Sequence, residues 1–176
     1  KSTLIKLLTG QIRPNLGKIS VLNMPVWNNP DLNQRIGYCP EQDSFYNYMS
    51  GLEFVTLCAK LSGLGSQAEA RSKAVLKRLD LAGAMNRRIG GYSKGMRQRV
   101  KMAQSMVHDP EVYIMDEPLT GTDPMGRITI MNNFRDLVKE GKHLVVSSHI
   151  LHEVERMTSN IILINKGKLI AQGSIQ

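Results

Sequence analysis

The amino-acid sequence predicts an α/β fold, a mainly parallel sheet with packed helices and an inserted helical block. Three observations predict it. After residue 110, apolar strand-length runs alternate with amphipathic helical stretches, the order that sets parallel strands side by side. From about 50 to 105 the pattern is helical throughout. One apolar run, "VYIMDEP", ends in two acids, as a buried strand does where it reaches a ligand-binding sheet edge.

Taken in order, residues 3–9 read as a helix ended by Gly10. "GKISVLNM" reads as a short strand or hairpin, and "RIGYCPEQD" as a strand entering a loop at Pro40. "SGLEFVTLCAKLSGL" reads as a helix with Ser50 as cap and Glu53 three residues on, a capping box ahead of an apolar stripe. "SQAEARSKAVLKRLDL" is a second amphipathic helix, and "RQRVKMAQSMVHD" a third, stopped by Pro110. "EVYIMDEP" is a central strand. "RITIMNNFRDLVKEGK" is a helix closed by Gly141, and "HLVVSSH" a second buried strand. "ILHEVERMTS" is a helix, and "NIILINKGKLIAQGSI" two strands joined at Lys166-Gly167.

A chain of 176 residues, 41% of them hydrophobic, supports one domain, or one domain with a subdomain. No apolar run approaches the ~18 residues of a membrane span, and no secretory signal opens the chain. Cys39 and Cys58 form no C-x-x-C pair and no disulfide framework, so both read as reduced thiols. The net charge of +8 raises nucleic acid and anionic membrane surfaces as partners. Its basic residues are scattered over helical patterns with no interleaved aromatics, which reads as a solvated basic face; contact with an acidic partner or lipid headgroups is the alternative.

Four stretches carry chemistry. "KST" at Lys1–Thr3 runs straight into a helix, as the end of a G-x-x-x-x-G-K-[ST] phosphate loop does. Asp116 and Glu117 sit at a strand end, where one carboxylate can hold magnesium through water and the other can orient an attacking water. An acidic strand-to-loop junction is equally ordinary in an α/β protein. Ser148-His149 ends the next strand, where a histidine can reach a phosphoryl group, although a lone histidine is more often structural. In "YSKGMRQRV", Ser93 and Gly95 precede a helix whose first turn carries Arg97 and Arg99, which makes an anion site; Ser93 as a simple N-cap is a compatible reading.

Together these stretches resemble the nucleotide-binding domain of an ABC transporter over essentially the whole chain. "KST" resembles the end of Walker A, "YSKGMRQRV" the signature, and "YIMDEP" Walker B with its following glutamate. "TGTDP" resembles the D-loop and "SSH" the switch histidine. All five stand in the family's order. "SKGMRQR" and "SSHILHEVE" resemble the ABC-2, exporter-type subgroup. The resemblance makes the chain a fragment, with the Walker A glycines, first strands and adenine-stacking aromatic lying before Lys1. It divides the single domain into a P-loop core, about 1–49 and 106–176, and a helical subdomain, about 50–105.

The resemblance implies ATP hydrolysis with ATP and Mg2+ as cofactors. Lys1 would meet the β- and γ-phosphates, Ser2 the magnesium and Thr3 a phosphate. Asp116 would hold the magnesium shell, Glu117 would act on the attacking water, and His149 would contact the γ-phosphate. Ser93 and Gly95 would bind the nucleotide of a facing domain, and Asp123 would couple the two sites. Implied partners are a second nucleotide-binding domain in a homodimer and transmembrane permease subunits or domains, at the cytoplasmic face of the membrane, with no specific nucleic acid. The family pattern places glutamine after the proline of "GYxPQ"; here Glu41 follows Pro40 and Gln42 comes next, so either is the metal-directed residue, with Glu41 favoured by alignment. Lys94 stands where glycine is commonest and Thr122 where leucine is usual. A soluble ABC-type ATPase acting on ribosomes or DNA is the second reading, and a P-loop NTPase outside the ABC family the third.

Overall fold

The strand at 112–116 organises the fold. In the computed structural model, which describes residues 1–158 and 160–174, every residue of this strand is buried. In chain order the elements are α1 (Ser2–Leu8), a hairpin of β1 (Ser20–Val21) and β2 (Met24–Pro25), α2 (Pro30–Arg35) and β3 (Ile36–Cys39). Then come α3 (Gly51–Leu61), α4 (Ala68–Arg78) and α5 (Lys94–Met106), with short 3-10 turns before α4 and α5. The chain continues through β4 (Val112–Asp116), α6 (Pro124–Lys139), β5 (His143–Ser147), α7 (Leu151–Met157) and an antiparallel hairpin of β6 (Asn160–Asn165) and β7 (Lys168–Ser174).

β4 lies between β3 and β5, parallel to both. The register pairs Cys39 with Met115 and Asp116 with Ser147, so all three strands end at one edge. Alternation along β4 divides its side chains between two cores. Val112 and Ile114 join Ile5 of α1, Leu32 of α2, Val26 and Ile36. Tyr113 and Met115 join the larger core made with α3 to α6. Asp116 continues the even-numbered series, on the side where α1 packs, and this brings the start of α1 to the carboxyl end of β4.

Ser50 caps α3 and Glu53 returns the bond to the Ser50 amide, the capping box the sequence predicts. The three helices between 51 and 106 pack on one another, and α5 also lies along β3. That approach depends on Gly37, where a Cβ would run into the Ser105 carbonyl and crowd Pro110 at 2.8 Å. Both cysteines are free. Burial pushes the Cys39 thiol up to about 12 and the Cys58 thiol to about 11, so each is an inert thiol at neutral pH.

Three expectations need correction. β5 is not a buried strand: its residues are half-buried or exposed, with Val145 at 45%, because among the described residues only β4 pairs with it. α2 was not expected. Asn29 caps it and Pro30 opens it, but Leu32 is its one buried residue, so no apolar period announces it. α5 begins at Lys94 rather than Arg97, because Ser93 accepts the Met96 amide and carries the helix across Gly95. Lys166 and Gly167, both at positive φ, form the turn between β6 and β7. Ser159 and Ile175, the ends of two predicted elements, lie outside the described residues.

Candidate active site

Adjacent parallel strands in register place Ser147 beside Asp116. The Ser147 hydroxyl donates to Asp116 Oδ1 at 2.5 Å and accepts the Glu117 amide at 3.1 Å. One serine thus fixes the side chain of the first acid and the backbone of the second. Glu117 itself has a φ of +50°, a left-handed conformation that costs a non-glycine residue roughly 1–2 kcal/mol. Such turns persist where the surroundings hold them, and here the Ser147 bond does so.

The Glu117 carboxylate is 95% buried yet has a cation or donor on each oxygen. Lys1 Nζ meets Oε1, and His149 Nδ1 lies 2.8 Å from Oε2. A carboxylate only accepts, so Nδ1 carries the proton and Nε2 is the ring's other edge. The imidazole is largely exposed, standing over a buried acid. Lys1 comes from the start of α1, Glu117 from the end of β4 and His149 from the turn after β5. Three of the sequence-designated residues therefore meet directly, drawn from elements far apart in the chain.

A second group lines an open cleft of about 730 Å³ next to them. Ser2, Glu41, Gln42 and Asp116 are among its walls, together with Tyr38 and Gln104. All four offer oxygen, the donor that magnesium selects. Among the described residues no cluster of three or more His, Cys, Asp or Glu forms a closed metal cage. One or two protein oxygens completed by phosphates and water is how magnesium is usually held, so the donor set fits that ion. Both Glu41 and Gln42 face the cleft walls. Thr3 is exposed in the first turn of α1.

Ser93, Gly95 and Asp123 form a different neighbourhood. Asp123 caps α6 by accepting the Gly126 amide, and its Oδ1 would lie 3.3 Å from a Cβ on Gly95. Ser93 is exposed at the N-terminus of α5. No hydrogen bond or ion pair among the described residues joins these three to Lys1, Glu117 or His149. The Lys94 side chain lies over the backbone of Gly121, whose φ is +71°, so the lysine in the signature stretch packs on the loop before Asp123.

Comparison with known proteins decides the family. A family model described as "ABC transporter" matches residues 1–120, more than half the chain. The chain belongs to the ABC transporter family. The match takes in both acids at the β4 edge and stops short of Asp123 and His149. An ABC transporter ATP-binding protein of Synechocystis sp. is 37% identical over 99% of this chain and 50% of its own length. NatA, an ABC transporter ATP-binding protein of Bacillus subtilis, is 34% identical over 100% of this chain and 73% of its own. A solved ATP-binding subunit of an ABC transporter superposes with a TM-score of 0.88 at 28% identity, over 99% of this chain and 74% of that one. The chain spans about half the length of several curated relatives that it matches. Among its described residues no helix is long and apolar enough to cross a membrane.

Ser147 escaped the sequence reading. The paired acids and the "SSH" stretch were visible, but which of two adjacent serines faces Asp116 depends on strand register.

Proposed function

We propose that this chain is part of a protein that binds and hydrolyses ATP to drive transport of a substrate across a membrane, and that residues 1–176 alone are inactive. The observation that carries the reading is a buried glutamate, Glu117, held between Lys1 and His149 beside a cleft lined by Ser2 and Asp116. Lys1, a compact point charge, turns from Glu117 to the β- and γ-phosphates when nucleotide enters. Ser2 and Asp116, with Glu41 or Gln42, would hold the magnesium shell, which would supply charge neutralisation at the phosphate oxygens. Released from Lys1, the Glu117 carboxylate orients water and accepts its proton as the oxygen attacks the γ-phosphorus and the β–γ bridge opens. Ser147 keeps Asp116 and Glu117 in place throughout, and His149 contacts the γ-phosphate.

Ser93, Gly95 and the α5 N-terminus lie apart from Lys1 in the same chain, which favours a role on nucleotide held by a facing domain. We place Asp123 at that junction, in a homodimer that ATP draws together. The helical segment of about 50–105 serves as the subdomain between this core and transmembrane permease partners at the cytoplasmic face of the membrane. The exporter-type assignment rests on the "SKGMRQR" signature.

His149→Ala tests the reading in the full-length protein. ATP hydrolysis should fall about 100-fold, while ATP affinity changes by no more than a few fold. Turnover that survives the substitution contradicts a phosphoryl contact by His149.

A further inference from the structure

The α5 helix grips the end of β3 and the loop after it with three side chains from one face. Gln98, 4% exposed, donates to the Cys39 sulfur at 3.8 Å. Arg97 Nη1 lies 3.5 Å from Asp43 Oδ2. Lys101 reaches furthest in. Its ammonium donates to the Glu41 carbonyl at 2.6 Å and pairs with Asp43 Oδ1 at 3.2 Å, and its side chain is 4% exposed. A buried ammonium is costly unless its protons find partners, so this geometry is held only while the loop keeps its shape.

Glu41 and Gln42, the two metal-directed candidates in this loop, line the cleft with Ser2, Ser44 and Asp116. The carbonyl that Lys101 holds belongs to Glu41 itself. A lysine that fixes this peptide fixes the point from which both side chains set out. We infer that Lys101 is a positioning residue for the nucleotide–metal site. It presents the 41–42 oxygen to the metal shell without touching nucleotide. The inference rests on the functional reading above. It also joins that oxygen to the helix whose N-terminus carries Ser93 and Gly95, so a shift of α5 is felt at the loop.

The test uses a fluorescent ATP analogue and the full-length protein, titrated with Mg2+ at fixed nucleotide. The readout is the Mg2+ concentration at half of the metal-dependent gain in affinity, compared with affinity in EDTA. For Lys101→Met the Mg2+ midpoint should rise about 10-fold, with metal-free affinity within about twofold of wild type, the size of effect seen when residues behind metal ligands are removed. Lys101→Arg, which keeps a charged donor, should recover most of the shift. Asp43→Asn leaves the lysine but removes its anion, and should shift the midpoint in the same direction by about threefold or more. This variant carries the test if Lys101→Met fails to fold. A midpoint unchanged in a cooperatively folded variant overturns the inference, as does an equal loss of metal-free and metal-dependent affinity. Wild-type protein that binds no nucleotide overturns the functional reading and this inference with it. Magnesium-dependent binding in wild type with no shift in the variants overturns the inference alone.

Discussion

Glu117→Gln in the full-length protein is expected to lower ATP turnover at least about 100-fold while ATP still binds. The amide keeps the shape of the carboxylate but cannot take a proton from water. It also alters both contacts in the structure. Its single carbonyl can accept from Lys1 or from His149 but not from both, and its NH2 faces the other as a competing donor. Loss of an anion that balances Lys1 frees the lysine for phosphate, so affinity should hold or rise. Nucleotide-bound dimers should accumulate, because closure no longer leads to cleavage. Steady-state phosphate release and gel filtration with MgATP measure both. A variant that keeps more than about a tenth of wild-type turnover contradicts proton transfer or water orientation by Glu117.

Gly37→Val should destabilise the fold by about 3 kcal/mol or more, lowering the melting temperature by roughly 6–12 °C for a chain of this size. Gly37 pairs with Tyr113 in the sheet while the Ser105 carbonyl of α5 covers its free face. The atom in the way is backbone within a buried helix, so no side chain can swing aside. α5 must lift from β3, which also loosens the Gln98 contact to Cys39 and the Lys101 contacts to Glu41 and Asp43. Thermal unfolding followed by circular dichroism checks this, and a melting temperature within about 2 °C of wild type contradicts close packing of α5 on β3.

Much of this architecture is legible in local pattern. The run Val112–Met115 followed by Asp116 and Glu117 reads as a buried strand meeting a polar edge. Ser50 and Glu53 mark the start of α3 because a capping box is written in four consecutive residues. The Lys166-Gly167 turn is likewise local. What the sequence hid depends on contacts between distant segments. Ser147 rather than Ser148 bonds to Asp116 because β5 pairs with β4 in one register, and a slip of one residue would exchange them. β5 reads as apolar and buried, yet its exposure is set by which strands flank it. Lys101 has the composition of a solvated helix position and the burial of a core residue. α2 is too short, with Leu32 alone turned inward, to show a period.

The proposed function requires α1, the loop after β3 and the ends of β4 and β5 to converge on one nucleotide–metal site. Fe2+ exchanged for magnesium in the presence of ATP, then cycled with ascorbate and peroxide, cuts backbone within a few ångströms of the metal. Cleavage mapped by mass spectrometry in the full-length protein should fall near Ser2, at 41–42 and at 116–117, should need nucleotide, and should disappear with excess Mg2+. Nucleotide-dependent cleavage confined to other segments, or an identical pattern without nucleotide, would contradict it.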